Sequence, residues 1–293
     1  MRHRATTAIG AQRGVALLLV LWACTLLAVL LGGLAALART EGLQARYQFA
    51  QTQAHYAAEA GLMRAVYGLQ DPQAKQRWFA DGRPYQFHYD NAQVTVSAVS
   101  ESGKVDLNAA MPPVLQGLFV AAGLRPDAAQ KLAAQVVDWR APAAVASAGA
   151  LGDGAYAAAG RSYRPRHAPF ASVEEVQMVL GMTPALYRRI ANDITIWGGA
   201  ASPDPNTATP LALQSIPGVD AAQLLALRAA RLKNAGDPGL VAGTGTTHSI
   251  QSEATLADGT RAMLRATIRL RTGAGGTQSP PYAVLRWQEG TEE

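Results

Sequence analysis

The apolar and polar positions change period along the chain, and each change predicts an element. Val15 to Ala38 reads VALLLVLWACTLLAVLLGGLAALA, with no charge and no proline. At a rise of about 1.5 Å per residue, such a run crosses a hydrocarbon layer of about 30 Å as a helix. Thr40 to Leu69 remains free of proline but becomes amphipathic, with Ala50, Ala54, Ala57, Ala58, Gly61, Leu62, Ala65, Val66 and Leu69 at helical spacing. One helix from about Val15 to Leu69 is predicted. Asp71-Pro72 stops it, because proline disfavours helical geometry in the residue before it.

Beyond the helix the period drops to two. Tyr85 to Tyr89 and Val94 to Val99 alternate across Asp90-Asn91, the pattern of a hairpin. His248 to Leu256 and Arg261 to Leu270 flank Ala257-Asp258-Gly259-Thr260, and Asp-Gly is a strong hairpin signal. A last strand is predicted over Tyr282 to Trp287, after Ser279-Pro280-Pro281. Strands on both sides of a long helical middle imply one sheet interrupted by an insertion.

That middle, about 104–234, contains a repeat. Asp106-Leu107-Asn108-Ala109-Ala110-Met111-Pro112-Pro113-Val114-Leu115-Gln116 aligns without a gap on Asp204-Pro205-Asn206-Thr207-Ala208-Thr209-Pro210-Leu211-Ala212-Leu213-Gln214. Each copy leads to a Gly-apolar turn, Gly123-Leu124 and Gly218-Val219, and then to a helix carrying Arg140 in the first and Arg228 or Arg231 in the second. A third, weaker unit runs through Phe170 to Val176, Gly181-Met182-Thr183 and a helix from Leu186 to Ile196. Asn108, Asn206 and Ser172 are natural N-caps or turn residues, so the units read as helix, tight turn, helix.

Charge adds a direction. The formal charge of +5 includes Arg2, Arg4 and Arg13, so the balance after Gly14 is about +2. Arginines before the apolar run put Met1 to Gly14 in the cytoplasm and the bulk of the chain outside. A plain signal anchor would look similar. A secretory cleavage after Ala36-Leu37-Ala38 is disfavoured, because secretory apolar regions run only about 7 to 15 residues. The lone Cys24 excludes an intrachain disulfide and any cysteine-based metal cluster. The five histidines show no ligand spacing, and no nucleophile motif or phosphate loop appears, so no enzyme and no cofactor is expected.

The junction Gln12-Arg13-Gly14-Val15-Ala16-Leu17-Leu18 resembles the site cut by prepilin peptidase, with cleavage after Gly14 and methylation of the new N-terminus at Val15. His55 to Leu62, with its AAEAGL segment, resembles the passage from a pilin-like helix into its head. Most pilins and pseudopilins carry a glutamate at the fifth mature position, where this chain has Leu19. Gly103 to Asn108, Val137-Asp138-Trp139, Pro169 to Val176 and Thr195-Ile196-Trp197 complete a resemblance to general secretion pathway protein K, the minor pseudopilin family of type II secretion.

The resemblance implies an α+β, pilin-like fold with a long N-terminal transmembrane α-helix, a small antiparallel sheet and a large inserted all-α domain with helix-hairpin-helix-like repeats. Its segments would be 1–14 leader, 15–70 helix with 15–38 in the membrane, 71–103 and 236–293 the two parts of the sheet domain, and 104–235 the insertion. The family implies a single-pass protein of the inner membrane, mostly periplasmic. Its partners would be I- and J-type minor pseudopilins in a tip complex, the major pseudopilin and prepilin peptidase. The missing acid at Leu19 goes with a tip position, since a carboxylate in lipid is costly unless paired. In the family the Asp-Trp pair leads into an acidic loop that can hold calcium, which takes six to eight oxygen ligands. Here Arg140-Ala141-Pro142-Ala143 follows, with Asp153 the only acid before Glu174, so no calcium site is expected.

A membrane-anchored DNA receptor of competence type is the alternative. Ile216-Pro217-Gly218-Val219-Asp220 resembles a helix-hairpin-helix module, in which two glycines bare amides to phosphate. Here the second position is Arg125, Thr183 or Asp220, and an acid repels phosphate. Without a basic patch, no nucleic-acid partner is expected.

Overall fold

The computed structural model describes residues 13–73, 76–142, 152–219, 247–271 and 282–290, and within 220–246 only 223, 226 and 229. One helix, α1, runs Arg13–Leu69. Backbone contacts divide the chain into two compact units, the first ending at Gln53 and the second running from Ala54.

In the second unit, the last turns of α1 form one edge of a core. Ala54, Ala57, Ala58, Leu62, Ala65 and Val66 are buried, the 3.6-residue stripe of a helix with one covered face. Gly61 lies in that stripe, where a Cβ would overlap the Ser252 hydroxyl and come within 2.7 Å of Val94 and 2.9 Å of Val96. The missing side chain lets the helix backbone press onto the sheet.

The sheet has the order β1-β2-β5-β6-β7, antiparallel throughout. Its strands are β1 Asp81–Tyr89, β2 Ala92–Ser100, β5 Thr247–Leu256, β6 Arg261–Leu270 and β7 Tyr282–Gly290. Strict alternation puts Val94, Val96 and Ala98 of β2 and Ile250, Ser252 and Ala254 of β5 in the interior. The two hairpins form at Asp90-Asn91 and around Asp258-Gly259, where Asp90 (φ 52) and Gly259 (φ 87) adopt the left-handed backbone. Proline cannot donate to a ladder, and Pro84 stands on the edge strand β1 beside an irregularity in register.

Between β2 and β5 the chain builds the helical insertion: α2 Pro112–Ala121, α3 Pro126–Arg140, α4 Asp153–Ala158, α5 Pro184–Ile190 and α6 Pro210–Gln214. Leu115, Leu118, Phe119, Val136, Trp139, Tyr156 and Ile190 form its core. Four of its helices open on proline, whose missing N–H is no loss in a first turn. Gly123 (φ 98), Gly181 (φ 94) and Gly218 (φ 81) all take the left-handed turn, so the three units share one backbone device.

Two expectations are corrected. The helix from Leu186 to Ile196 ends at Ile190, because Ile194 and Thr195 form strand β4, pairing in parallel with Val105 and Asp106 of β3. The stretch Val173–Met178 is a 3-10 helix. Asn108 and Asn206 are turn residues, one of the two roles expected of them, and Ser172 stands at the N-cap position of the 3-10 helix; Met111 holds that position for α2 without a side-chain bond, and Thr209 caps α6. Arg228, Arg231 and most of the helix predicted for the second copy lie outside the described residues, as do residues 1–12 of the leader expected over Met1 to Gly14.

Candidate assembly surfaces

The first unit exposes an apolar helix surface. Val15 (65%), Leu19 (64%) and Trp22 (62%) are open to the surroundings, and the run from Val15 buries none of its most apolar stretch. The helix is long and apolar enough to cross a membrane. Its one hydroxyl within that run is satisfied locally, Thr25 Oγ1 donating to the Trp22 carbonyl at 2.8 Å, as a low-dielectric surrounding requires. Val15 and Leu19 sit four residues apart, on one face of α1. Gly14 lies inside the helical span just before them. Cys24 is free and exposed.

In the second unit, buried polar bonds assemble the insertion. Both copies of the repeat fold into the same turn: Asn108 N–H donates to Asp106 Oδ1 at 2.7 Å and Asn206 N–H to Asp204 Oδ1 at 2.9 Å, each followed by a proline-led helix. The first copy carries more. Asp106 also accepts from the N–H groups of Ala109 (3.1 Å) and Gly199 (2.6 Å), and Asn108 exchanges two bonds with the Phe170 backbone, at 2.7 and 3.1 Å. Thr209 donates to Asp193, whose carboxyl is pushed above its ordinary range by burial, against that bond.

Of the Asp-Trp pair, Trp139 is structural. The Trp139 indole donates to Glu175 Oε1 at 2.9 Å, and its ring packs on Phe170, Tyr156 and Tyr163 at centroid distances of 6.1, 6.0 and 6.4 Å. Glu175 also accepts from the Ala171 N–H at 2.8 Å and from Arg166 at 3.2 Å. That role is not legible in Pro169 to Val176 alone, because neither Glu174 nor Glu175 signals its partner. Glu174 faces the sheet and pairs with Arg286 of β7 at 2.7 Å, which holds its carboxyl below the usual range against the opposing effect of burial.

Of the arginines that follow the turns of the two repeat copies, Arg140 is among the described residues, and it is turned inward. Arg140 donates to the carbonyls of Leu107 (2.6 Å) and Ala110, and burial lowers its pKa. Arg189 donates to the Ala122 carbonyl at 3.1 Å, closing the C-terminus of α2. Thr183, at a turn position where a second glycine would bare amides, uses its hydroxyl to cap α5. The turns are built as packing joints.

A cleft of 460 Å³ separates the outer sheet face from the insertion, lined by Glu101, Lys104, Tyr187, Trp197, Arg265 and Arg286 among others. Glu101 accepts from Lys104 and Ser249 at 2.6 Å each, Arg286 meets Glu174, and Arg265 donates to the neutral Gln251 Oε1 at 3.2 Å. Among the described residues, no group of three or more His, Cys, Asp or Glu side chains is placed to hold a metal ion.

Residues 93–199 match the family model described as type II secretion system (T2SS), protein K. No curated protein matches the chain. Among solved structures, the fold is similar to a chain of the crystal structure of the GspK-GspI-GspJ complex from the enterotoxigenic Escherichia coli type 2 secretion system. The identity is 18% and the TM-score 0.56, over 87% of this chain and 100% of that one.

Proposed function

We propose, for a chain whose residues 93–199 carry the protein K domain of type II secretion, the role of a minor pseudopilin that caps and initiates the periplasmic pseudopilus and so supports export of folded proteins. The observation that carries the reading is the joint occurrence of that domain, the fold likeness to a chain of a GspK-GspI-GspJ complex, and an exposed apolar helix of membrane length. The inward-turned Arg140 counts against the DNA-receptor alternative, since it offers no cation to a phosphate backbone.

In this reading the leader is cut after Gly14, Val15 becomes the methylated first residue, and α1 anchors the protein in the inner membrane with the sheet and insertion in the periplasm. The I- and J-type minor pseudopilins join it in a tip complex, and the major pseudopilin follows behind. Leu19 is the residue that suits the tip. A subunit with no neighbour in front has no N-terminal amine to neutralise an acid there, and an acid left unpaired at the centre of a bilayer helix costs about 2.5–3.5 kcal/mol. The bulk of the insertion blocks a further subunit from stacking in front.

The test is the mass and N-terminal sequence of membrane-extracted protein from cells with and without prepilin peptidase, together with co-purification of the I- and J-type subunits. An N-methylated Val15 that depends on the peptidase, with both subunits retained, is the expected result. An identical, uncut N-terminus in both strains would overturn the assignment.

A further inference from the structure

His167 stands where two helix ends meet. α3 closes on Ala141, α4 opens at Asp153, and His167, with a left-handed backbone (φ 53), faces both. Its Nδ1 lies 3.2 Å from the Ala141 carbonyl oxygen and its Nε2 2.9 Å from Asp153 Oδ1. A carbonyl oxygen and an ionised carboxylate can only accept. Both bonds therefore form together only when both ring nitrogens carry hydrogen, that is, in the imidazolium; either neutral tautomer turns a lone pair onto one of the acceptors.

The surroundings favour the same state. The C-terminal end of a helix carries partial negative charge, and Ala141 is the cap of α3. Asp138 on α3 also acts on the ring, as does Asp153 on α4. The neighbouring cation, Arg166, is engaged by Glu175 at 3.2 Å. What the ring fastens is not incidental. α4 carries Tyr156, fully buried against Trp139, with its hydroxyl accepting from the Leu180 N–H at 3.3 Å.

We propose that His167 is a protonation-dependent pin: as an imidazolium it ties the start of α4 to the end of α3 and seats Tyr156 in the aromatic cluster around Trp139, and on losing its proton it gives up one of the two bonds and so releases the tie between the helix ends.

The Asp153 carboxylate raises the His167 pKa, with the Ala141 carbonyl adding to it and burial opposing. A raised folded-state value fixes the sign. The pin is complete below the ordinary histidine value of about 6.5 and is lost as the pH rises through the folded value.

The experiment uses the full chain in detergent micelles with ring-¹⁵N histidine, the His167→Gln spectrum identifying the His167 signals. Both ring nitrogens should be protonated below about pH 6.5, with a midpoint above that value, and Asp153→Asn should lower the midpoint. Hydrogen exchange at the Ala159 amide, bonded to the Ala155 carbonyl at 2.9 Å, reads the release. Its protection should fall by up to about tenfold per pH unit between about 6.5 and the midpoint, and this dependence should vanish in His167→Gln. A midpoint at or below about 6.5 in the unaltered chain, or one that ignores Asp153→Asn, overturns the pin. A raised midpoint with Ala159 protection indifferent to it overturns the release.

Discussion

The repeat offers an internal comparison, because Asp106 and Asp204 occupy the same place in two copies of one turn. Truncating each to alanine removes different amounts of structure. Asp106 is 2% exposed, and its carboxylate accepts from three backbone donors, Asn108, Ala109 and Gly199, at 2.7, 3.1 and 2.6 Å. A hydrogen bond to a charged group contributes about 1.5–3 kcal/mol, and a buried donor left unpaired costs about 1–3 kcal/mol. The losses share one network and do not simply add, so Asp106→Ala should cost about 4 kcal/mol. The Asp204 side chain accepts from the Asn206 N–H at 2.9 Å in an exposed setting, which predicts about 1 kcal/mol for Asp204→Ala. Urea unfolding of the full chain in micelles, followed by tryptophan fluorescence, measures both, since Trp139 and Trp197 report on the insertion. Equal losses, or a larger loss at Asp204, would refute the view that the Gly199 bond and burial distinguish the copies.

Gly61→Val should destabilise the second unit by about 1–3 kcal/mol, because its Cβ meets Val94, Val96 and Ser252 with no free space; a thermal unfolding midpoint at or above that of the unaltered chain would contradict this packing. Trp139→Ala should cost about 3–5 kcal/mol, while Glu175→Gln, which keeps one acceptor for the indole, should cost less, as read from denaturant midpoints. His248 is buried and its pKa is lowered to about 4 by desolvation, partly opposed by the Glu101 charge. The folded state thus holds the ring neutral, so stability is complete above about 6.5 and declines as the pH falls toward 4, by roughly 3 kcal/mol in all. Replacing His248 with Gln should flatten the unfolding free energy over that window, and an unchanged slope would remove His248 as its source.

The strands were legible in the sequence because each carries its own signal. The alternation of Val94-Thr95-Val96-Ser97-Ala98 and the Asp258-Gly259 turn specify strand and hairpin from neighbouring residues alone, and both formed where predicted. The helix to Leu69 was legible for the same reason. The repeat was legible as a pattern, and its asparagines are turn residues as expected, while the N-cap positions fall on Met111 and Thr209 because α2 and α6 open at Pro112 and Pro210. Ile194-Thr195 reads as the end of a helix until Val105-Asp106 is available as a parallel partner.

The sequence by itself determined what depends on near neighbours: an apolar helix of membrane length, the Gly14-Val15 junction with Leu19 one turn beyond it, and the periods of sheet and insertion. Tertiary structure alone decided which polar groups meet. Glu175 gathers Trp139, Arg166 and Ala171; Glu174 reaches Arg286 on β7; and His167 finds both Ala141 and Asp153. A side chain's partner across the fold depends on where distant segments are brought by burial of the core, and no local period encodes that distance.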